Sequence, residues 1–352
     1  MRERLNRLRC DSRISLTLNQ GYGLLAQELA VRQYSGPSVL TGTETAMKAL
    51  SCRSRLCTWV LGAIIVCPGA SALAQNPPPS DHPAVTVRGL TYTPRSILAR
   101  NMGSEADRIT QFTPHKIIGN IYYVGTVTLS SFLIATPEGH ILIDSTYERG
   151  VPAIAKSVAD LGFKFSDVKI LLGNHAHGDH QEGDALVKQM TGAQVMAMAE
   201  DVPLLQAMKP GGKEHPIDKV LHDGDKVTLG GTTLVAHLTA GHTPGCTTWT
   251  TTAQEGGKTY NVMIGCSLRS PATLTPALVD ALNRSFKTVR SLPCDVQLGD
   301  HGAQYNMHEK FAKLKEGGAN PFIDPASCTL EADVQEAMFQ ALLAEQQQGA
   351  RP

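Results

Sequence analysis

The chain predicts an α/β domain with sheets packed between helices, and two observations carry that reading. Strand-like runs give way to helical stripes twice over beyond residue 117. Loops bearing histidine and aspartate follow strand-like runs in both halves, where layered α/β folds build their sites.

The first half opens as a β-meander. Residues 117–124 and 131–135 read as strands, Pro137-Glu138-Gly139 as a turn and residues 140–144 as a further strand. Val151, Ile154, Val158 and Leu161 recur at helical spacing, and Gly162 stops that helix. The apolar run over 168–172 is a strand leading straight into a histidine-rich loop. Beyond the loop, Ala185, Leu186 and Met190 give a helix face that Gly192 ends, and residues 193–198 form the next strand. In the second half, residues 227–229 and 232–239 flank Gly230-Gly231 as a hairpin, with Leu234, Ala236 and Leu238 alternating onto one face. Residues 249–252 and 260–264 form another hairpin around 254–258. Thr275-Pro276 starts a helix whose apolar stripe is Leu278, Leu282, Phe286 and Val289. A short strand over 295–298 delivers Asp300 and His301 to its end, and the last helix, after Cys328, carries Val334, Met338 and Leu342.

Of 352 residues, 42% are hydrophobic and 18% charged, which is ordinary globular composition. Net charge is zero, so there is no electrostatic footprint for nucleic acid or anionic lipid, and a small-molecule substrate is expected. From Met47, a basic segment precedes an apolar run over 56–66 and the small-residue ending Ala-Ser-Ala-Leu-Ala at 70–74. These are the three parts of a secretory signal peptide, with cleavage expected after Ala74 and an exported, periplasmic product. The apolar run is too short for a membrane span. Residues 1–46 then read as an upstream extension before a true start at Met47, residues 75–83 as a Pro-rich linker and residues 84–352 as the working domain. Only Cys246, Cys266, Cys294 and Cys328 remain after cleavage, an even number that suits an oxidising compartment and allows three pairings. Oligomeric state leaves no sequence signal.

The loop after 168–172 reads Asn174-His175-Ala176-His177-Gly178-Asp179-His180. Imidazole nitrogens and a carboxylate are the donors that suit zinc and similar divalent ions. His175 and His177 lie two apart, so an extended backbone puts both on one face, while Asp179 and His180 follow where the chain turns into a helix. Four such donors exceed what one open catalytic zinc takes from a single segment, which points to two metals. His242, in Ala-Gly-His-Thr-Pro-Gly-Cys at 240–246, and His301, in Leu-Gly-Asp-His-Gly at 298–302, occupy Gly-rich loops after strands and complete a set of six. His82, His115, His140, His215, His222, His237 and His308 lack such context and are expected to serve surface or core roles.

With these motifs in place the chain resembles the metallo-β-lactamase superfamily, and within it the subclass B3 zinc β-lactamases. The resemblance rests on His175-x-His177-x-Asp179-His180, Gly241-His242-Thr243-Pro244-Gly245 and Leu298-Gly299-Asp300-His301, supported by Tyr123-Val124-Gly125-Thr126 and residues 136–144, and it covers about residues 115–330 in order. It implies a four-layered αβ/βα sandwich and two zinc ions per chain. His175, His177 and His242 would hold the first, and Asp179, His180 and His301 the second. It further implies a catalytic role for Asp179, support of the site by Asp144, a disulfide between Cys294 and Cys328, and a substrate-binding serine at Ser267 with Arg269 near enough to assist. Cys266 is the departure from the pattern. It stands where many lactonases and thioesterases of the superfamily carry a bridging aspartate, and it would be either a soft zinc ligand or the partner of Cys246. The implied activity is zinc-dependent hydrolysis of the β-lactam amide bond, with a related hydrolase acting on lactones, thioesters or other esters as the alternative.

Overall fold

The computed structural model describes residues 80–349. The expected extension, signal peptide and most of the linker lie outside the described residues. A hairpin of β1 (Val85–Val87) and β2 (Leu90–Tyr92) precedes α1 (Pro94–Met102), which Thr93 caps by accepting a hydrogen bond from the Ser96 N–H. Seven strands then pair in chain order as one sheet: β3 (His115–Ile118), β4 (Ile121–Tyr123), β5 (Phe132–Thr136), β6 (Gly139–Ile143), β7 (Val168–Leu172), β8 (Gln194–Met198) and β9 (Lys219–Leu221). The strands up to β6 pair antiparallel, β3–β4 and β5–β6 through tight turns and β4–β5 through the longer segment 124–131. From β6 onward the pairs are parallel, and each needs a crossover. These crossovers carry α2 (Val151–Asp160), the single turn α3 (Gly178–Gln181) with α4 (Asp184–Thr191), and α5 (Val202–Ala207).

The second sheet has five strands in the order β10 (Lys226–Leu229), β11 (Thr232–Leu238), β12 (Thr247–Glu255), β13 (Lys258–Gly265) and β14 (Val296–Gly299). It is antiparallel except for its last pair, where α6 (Pro276–Ser291) makes the crossover. Two helices close the described chain, α7 (Met307–Glu316) and α8 (Leu330–Gln347).

Alternation along the strands decides how the sheets stack. Ile143, Leu172 and Met196 of the first sheet share one buried cluster with Leu234, Trp249 and Ile264 of the second, so the two sheets face each other. The neighbours that point the other way, Leu142, Leu171 and Val195, pack on Ile154 and Val158 of α2 and Val187 of α4. On the far side of the second sheet, Met263 meets Leu282 and Phe286 of α6 and Phe339 of α8. The result is the expected four layers of helix, sheet, sheet and helix.

Three local expectations change. The single strand read over 117–124 is a hairpin, because Gly119 adopts φ +55 and reverses the chain between β3 and β4. Met190 is 47% exposed, and Val187 holds the core position on α4 instead. The hairpin around 254–258 is longer than read, since β12 and β13 pair from Trp249 opposite Ile264 out to Glu255 opposite Lys258.

Candidate metal centre

All six expected ligands gather at one edge of the sandwich, at the ends of strands from both sheets. The first histidines follow β7, His242 lies between β11 and β12, and His301 follows β14. His175, His177 and His242 form one group and Asp179, His180 and His301 another, with the donor atoms inside each group lying within 4.8 Å of one another. The groups adjoin, since the His175 and His180 rings stand 4.2 Å apart between centroids.

The chain holds most of these rings from behind. His180 Nδ1 donates to Asp144 Oδ2 at 3.1 Å, His242 Nδ1 to the Arg269 carbonyl at 2.9 Å and His301 Nδ1 to the Asn101 carbonyl at 3.2 Å. His175 Nδ1 faces Asp300 Oδ2 at 3.3 Å. A carbonyl or carboxylate acceptor obliges the outer nitrogen to carry the proton, which leaves the Nε2 lone pair pointing inward. His177 turns its Nδ1 inward instead, 3.1 Å from His175 Nε2. His180 Nε2 is buried and has no hydrogen-bond partner, although Asp179 Oδ2 is 3.3 Å away. Inward lone pairs, an orphaned buried nitrogen and a carboxylate are the donor set a divalent metal requires, and the residues present fit zinc.

The carboxylates here attract positive charge, which His180 takes up as a proton that a bound metal would displace. Burial alone would raise the Asp179 pKa, but the charge of His180 3.3 Å away, with His301 beside it, holds the carboxyl well below its usual range. Burial would likewise lower the His180 pKa, yet Asp179 and Asp144 push it well above the ordinary histidine value. His175, desolvated and next to His180, falls to about 3 and is neutral at physiological pH.

Asp144 lies behind the candidate site, in contact with His180 and Asn174. It has φ +62, so β6 stops at Ile143 and the carboxylate swings beneath the metal loop, where Oδ1 also accepts the Asn174 N–H at 2.7 Å. Asp300 is a role the motif reading did not separate from His301. Its carboxylate takes the Ser267 N–H at 2.7 Å and the Gln304 side-chain amide at 2.6 Å while facing His175. Asn101 was equally hidden, because a backbone carbonyl leaves no trace in residue type.

Cys294 pairs with Cys328, as the resemblance implied, and Cys246 pairs with Cys266. The second pairing settles the open alternative against a ligand role for Cys266. Cys266, His175 and Asp300 do lie within metal-binding distance of one another. That sulfur is spent in the disulfide, however, and sits on the Nδ1 side of His175, 3.6 Å from an atom already committed to Asp300. Ser267 is buried, and its hydroxyl makes no hydrogen bond among the described residues. Arg269 is partly buried, forms no ion pair among them, and lies near enough to His177 and His242 to disfavour their protonation.

A two-sheet sandwich whose edge carries two adjacent three-ligand groups defines a metal-dependent hydrolase. Comparison with known proteins agrees. The metallo-β-lactamase superfamily model matches residues 124–254. The native FEZ-1 metallo-β-lactamase from Legionella gormanii is 41% identical, with a TM-score of 0.64, over 68% of this chain and 98% of its own. BJP-1, a subclass B3 metallo-β-lactamase of Bradyrhizobium japonicum, is 36% identical, with a TM-score of 0.63, over 69% of this chain and 98% of its own. A curated relative, a probable metallo-hydrolase of Burkholderia pseudomallei, is 28% identical in an alignment 199 positions long that covers 48% of this chain and 66% of that protein. The chain belongs to the metallo-β-lactamase superfamily, and its solved neighbours include subclass B3 enzymes.

Proposed function

We propose that the chain is an exported zinc β-lactamase that opens the β-lactam amide bond, with one zinc on His175, His177 and His242 and a second on Asp179, His180 and His301. The observation that carries this reading is the composition of the second group. Asp179 is followed directly by a ligand histidine, and the end of β13 offers a disulfide-bonded Cys266 in place of a bridging carboxylate. Zinc bound at such a site supplies a water acidified to a pKa of about 7 and a Lewis acid for the carbonyl.

The chain's own residues do the rest. Asp179 Oδ2 faces His180 and His301, which leaves Oδ1 to accept a hydrogen bond from the attacking water and aim it. The guanidinium of Arg269, which forms no ion pair among the described residues, offers charge to a substrate carboxylate, and the Ser267 hydroxyl adds a hydrogen bond. The buried carbonyl and carboxylate acceptors behind His175, His180, His242 and His301 keep those four rings from rotating during turnover.

The test is turnover of a carbapenem, a penicillin, a lactone and a thioester, with and without chelator. It uses protein recovered from a periplasmic extract, where export predicts Gln75 as the first residue. Chelator-sensitive β-lactam cleavage is expected. Lactone or thioester turnover without β-lactam cleavage would refute the proposal and leave an esterase of the same superfamily.

A further inference from the structure

We infer that Asp201 is a positioning residue that holds the three-histidine group together across the two sheets and thereby sets that group's affinity for metal. This rests on reading His175, His177 and His242 as ligands. Those ligands belong to loops from different sheets, so the spacing between the loops has to be fixed by something other than the metal itself.

Asp201 stands in neither loop. It ends a short turn after β8 and is 2% exposed. Its Oδ2 accepts the Ala176 N–H at 2.8 Å and the Thr243 hydroxyl at 2.7 Å, and its Oδ1 accepts the Gly245 N–H at 2.6 Å. Ala176 lies between His175 and His177, while Thr243 and Gly245 follow His242. One carboxylate therefore ties both ligand loops to a single point, through charge-assisted bonds of the stronger kind. The contact is close as well as polar. A Cβ on Gly245 would come within 2.6 Å of the Asp201 backbone nitrogen and 2.7 Å of its Cβ, so only glycine allows this approach.

The fold has other links between the sheets at this edge. The Thr247 N–H donates to the Asn174 carbonyl at 2.8 Å, and the Asn174 side chain donates back to the Thr247 carbonyl at 3.1 Å. Altering Asp201 should therefore loosen the spacing of the ligands without separating the sheets. Asparagine is the informative replacement, because its NH2 must face either the Gly245 N–H or the Ala176 and Thr243 donors.

The experiment measures zinc affinity by competition with a chromophoric chelator, and the cobalt(II) absorption spectrum, in the mature chain. Asp201→Asn and Gly245→Ala are compared with His242→Ala and His301→Ala, and melting of the metal-stripped proteins is followed in parallel. Both clamp variants are expected to weaken one metal by about 10- to 100-fold, with the cobalt spectrum changing as in His242→Ala and not as in His301→Ala. Thr243→Val, which removes one of the three bonds, should fall between them and wild type. Wild-type affinity in Asp201→Asn, beside a weakened His242→Ala, would overturn the inference alone. Equal loss of both metals with a matching drop in the stripped protein's melting point would also overturn it, because the role would then be structural. An unchanged His242→Ala would overturn the ligand reading along with it.

Discussion

Removing the two disulfides separately, by Cys246→Ala with Cys266→Ala and by Cys294→Ala with Cys328→Ala, should cost the fold similar amounts and the metal site different ones. The bridged residues are 20 apart in the first pair and 34 in the second. Loop-closure entropy assigns these about 3.3 and about 3.8 kcal/mol. At roughly 2–4 °C per kcal/mol for a domain of this size, either removal should lower Tm by about 7–15 °C. The site sees only the first. Cys246 follows the His242 loop, and Cys266 Sγ is 3.6 Å from His175 Nδ1. Cys294 precedes β14, whereas His301 lies beyond the other end of that strand. Thermal melting of stripped protein and zinc competition would be run on both variants. Equal metal affinity in the two, whether lowered or unchanged, would refute the claim that the Cys246–Cys266 bridge buttresses the ligands.

Asp300→Asn takes the charged acceptor away from His175 and should weaken zinc by about 10- to 100-fold in the same competition assay. His115 is buried among aromatic rings, and that desolvation lowers its pKa from 6.5 to about 4. The fold thus keeps it neutral while the unfolded chain takes up a proton below pH 6.5, so stability falls as pH drops through the window from about 6.5 to 4. At pH 4.5 the loss should be about 2.5 kcal/mol relative to pH 7. His115→Phe should flatten this acid limb, and urea midpoints that track pH equally in both proteins would refute the assignment.

Much of this architecture was legible because chemistry and periodicity coincide. Val151, Ile154 and Val158 announce α2 by their spacing, and Gly256-Gly257 and Gly230-Gly231 mark turns whose glycines all have positive φ. The ligands were legible for a different reason, since histidine and aspartate within one short loop have few other uses. The remaining features have no signature in residue type. α1 buries only Ile97 and Asn101, so its sequence shows little stripe. Asp201 looks like any acidic residue beside Glu200 until three donors from two other loops converge on it. His215 was read as needing no more than a core or surface role. It is buried with Nε2 3.2 Å from Asp184 Oδ2 and 3.1 Å from the Gln181 carbonyl, bracing the turn that carries His180. Long-range partners of this kind are set by the fold, and residue type alone does not disclose them.

The bond from His301 Nδ1 to the Asn101 carbonyl has a consequence for the order of assembly. α1 rests on α8, where Tyr92 and Ile97 meet Val334 and Met338. The helix that steadies the His301 ring can therefore dock only once α8 is there to receive it. Until α8 is in place the three-histidine loops can approach one another while the second group still lacks its brace. A metal captured before that docking would enter an unfinished pocket, so filling of the second group should follow the packing of α1 on α8.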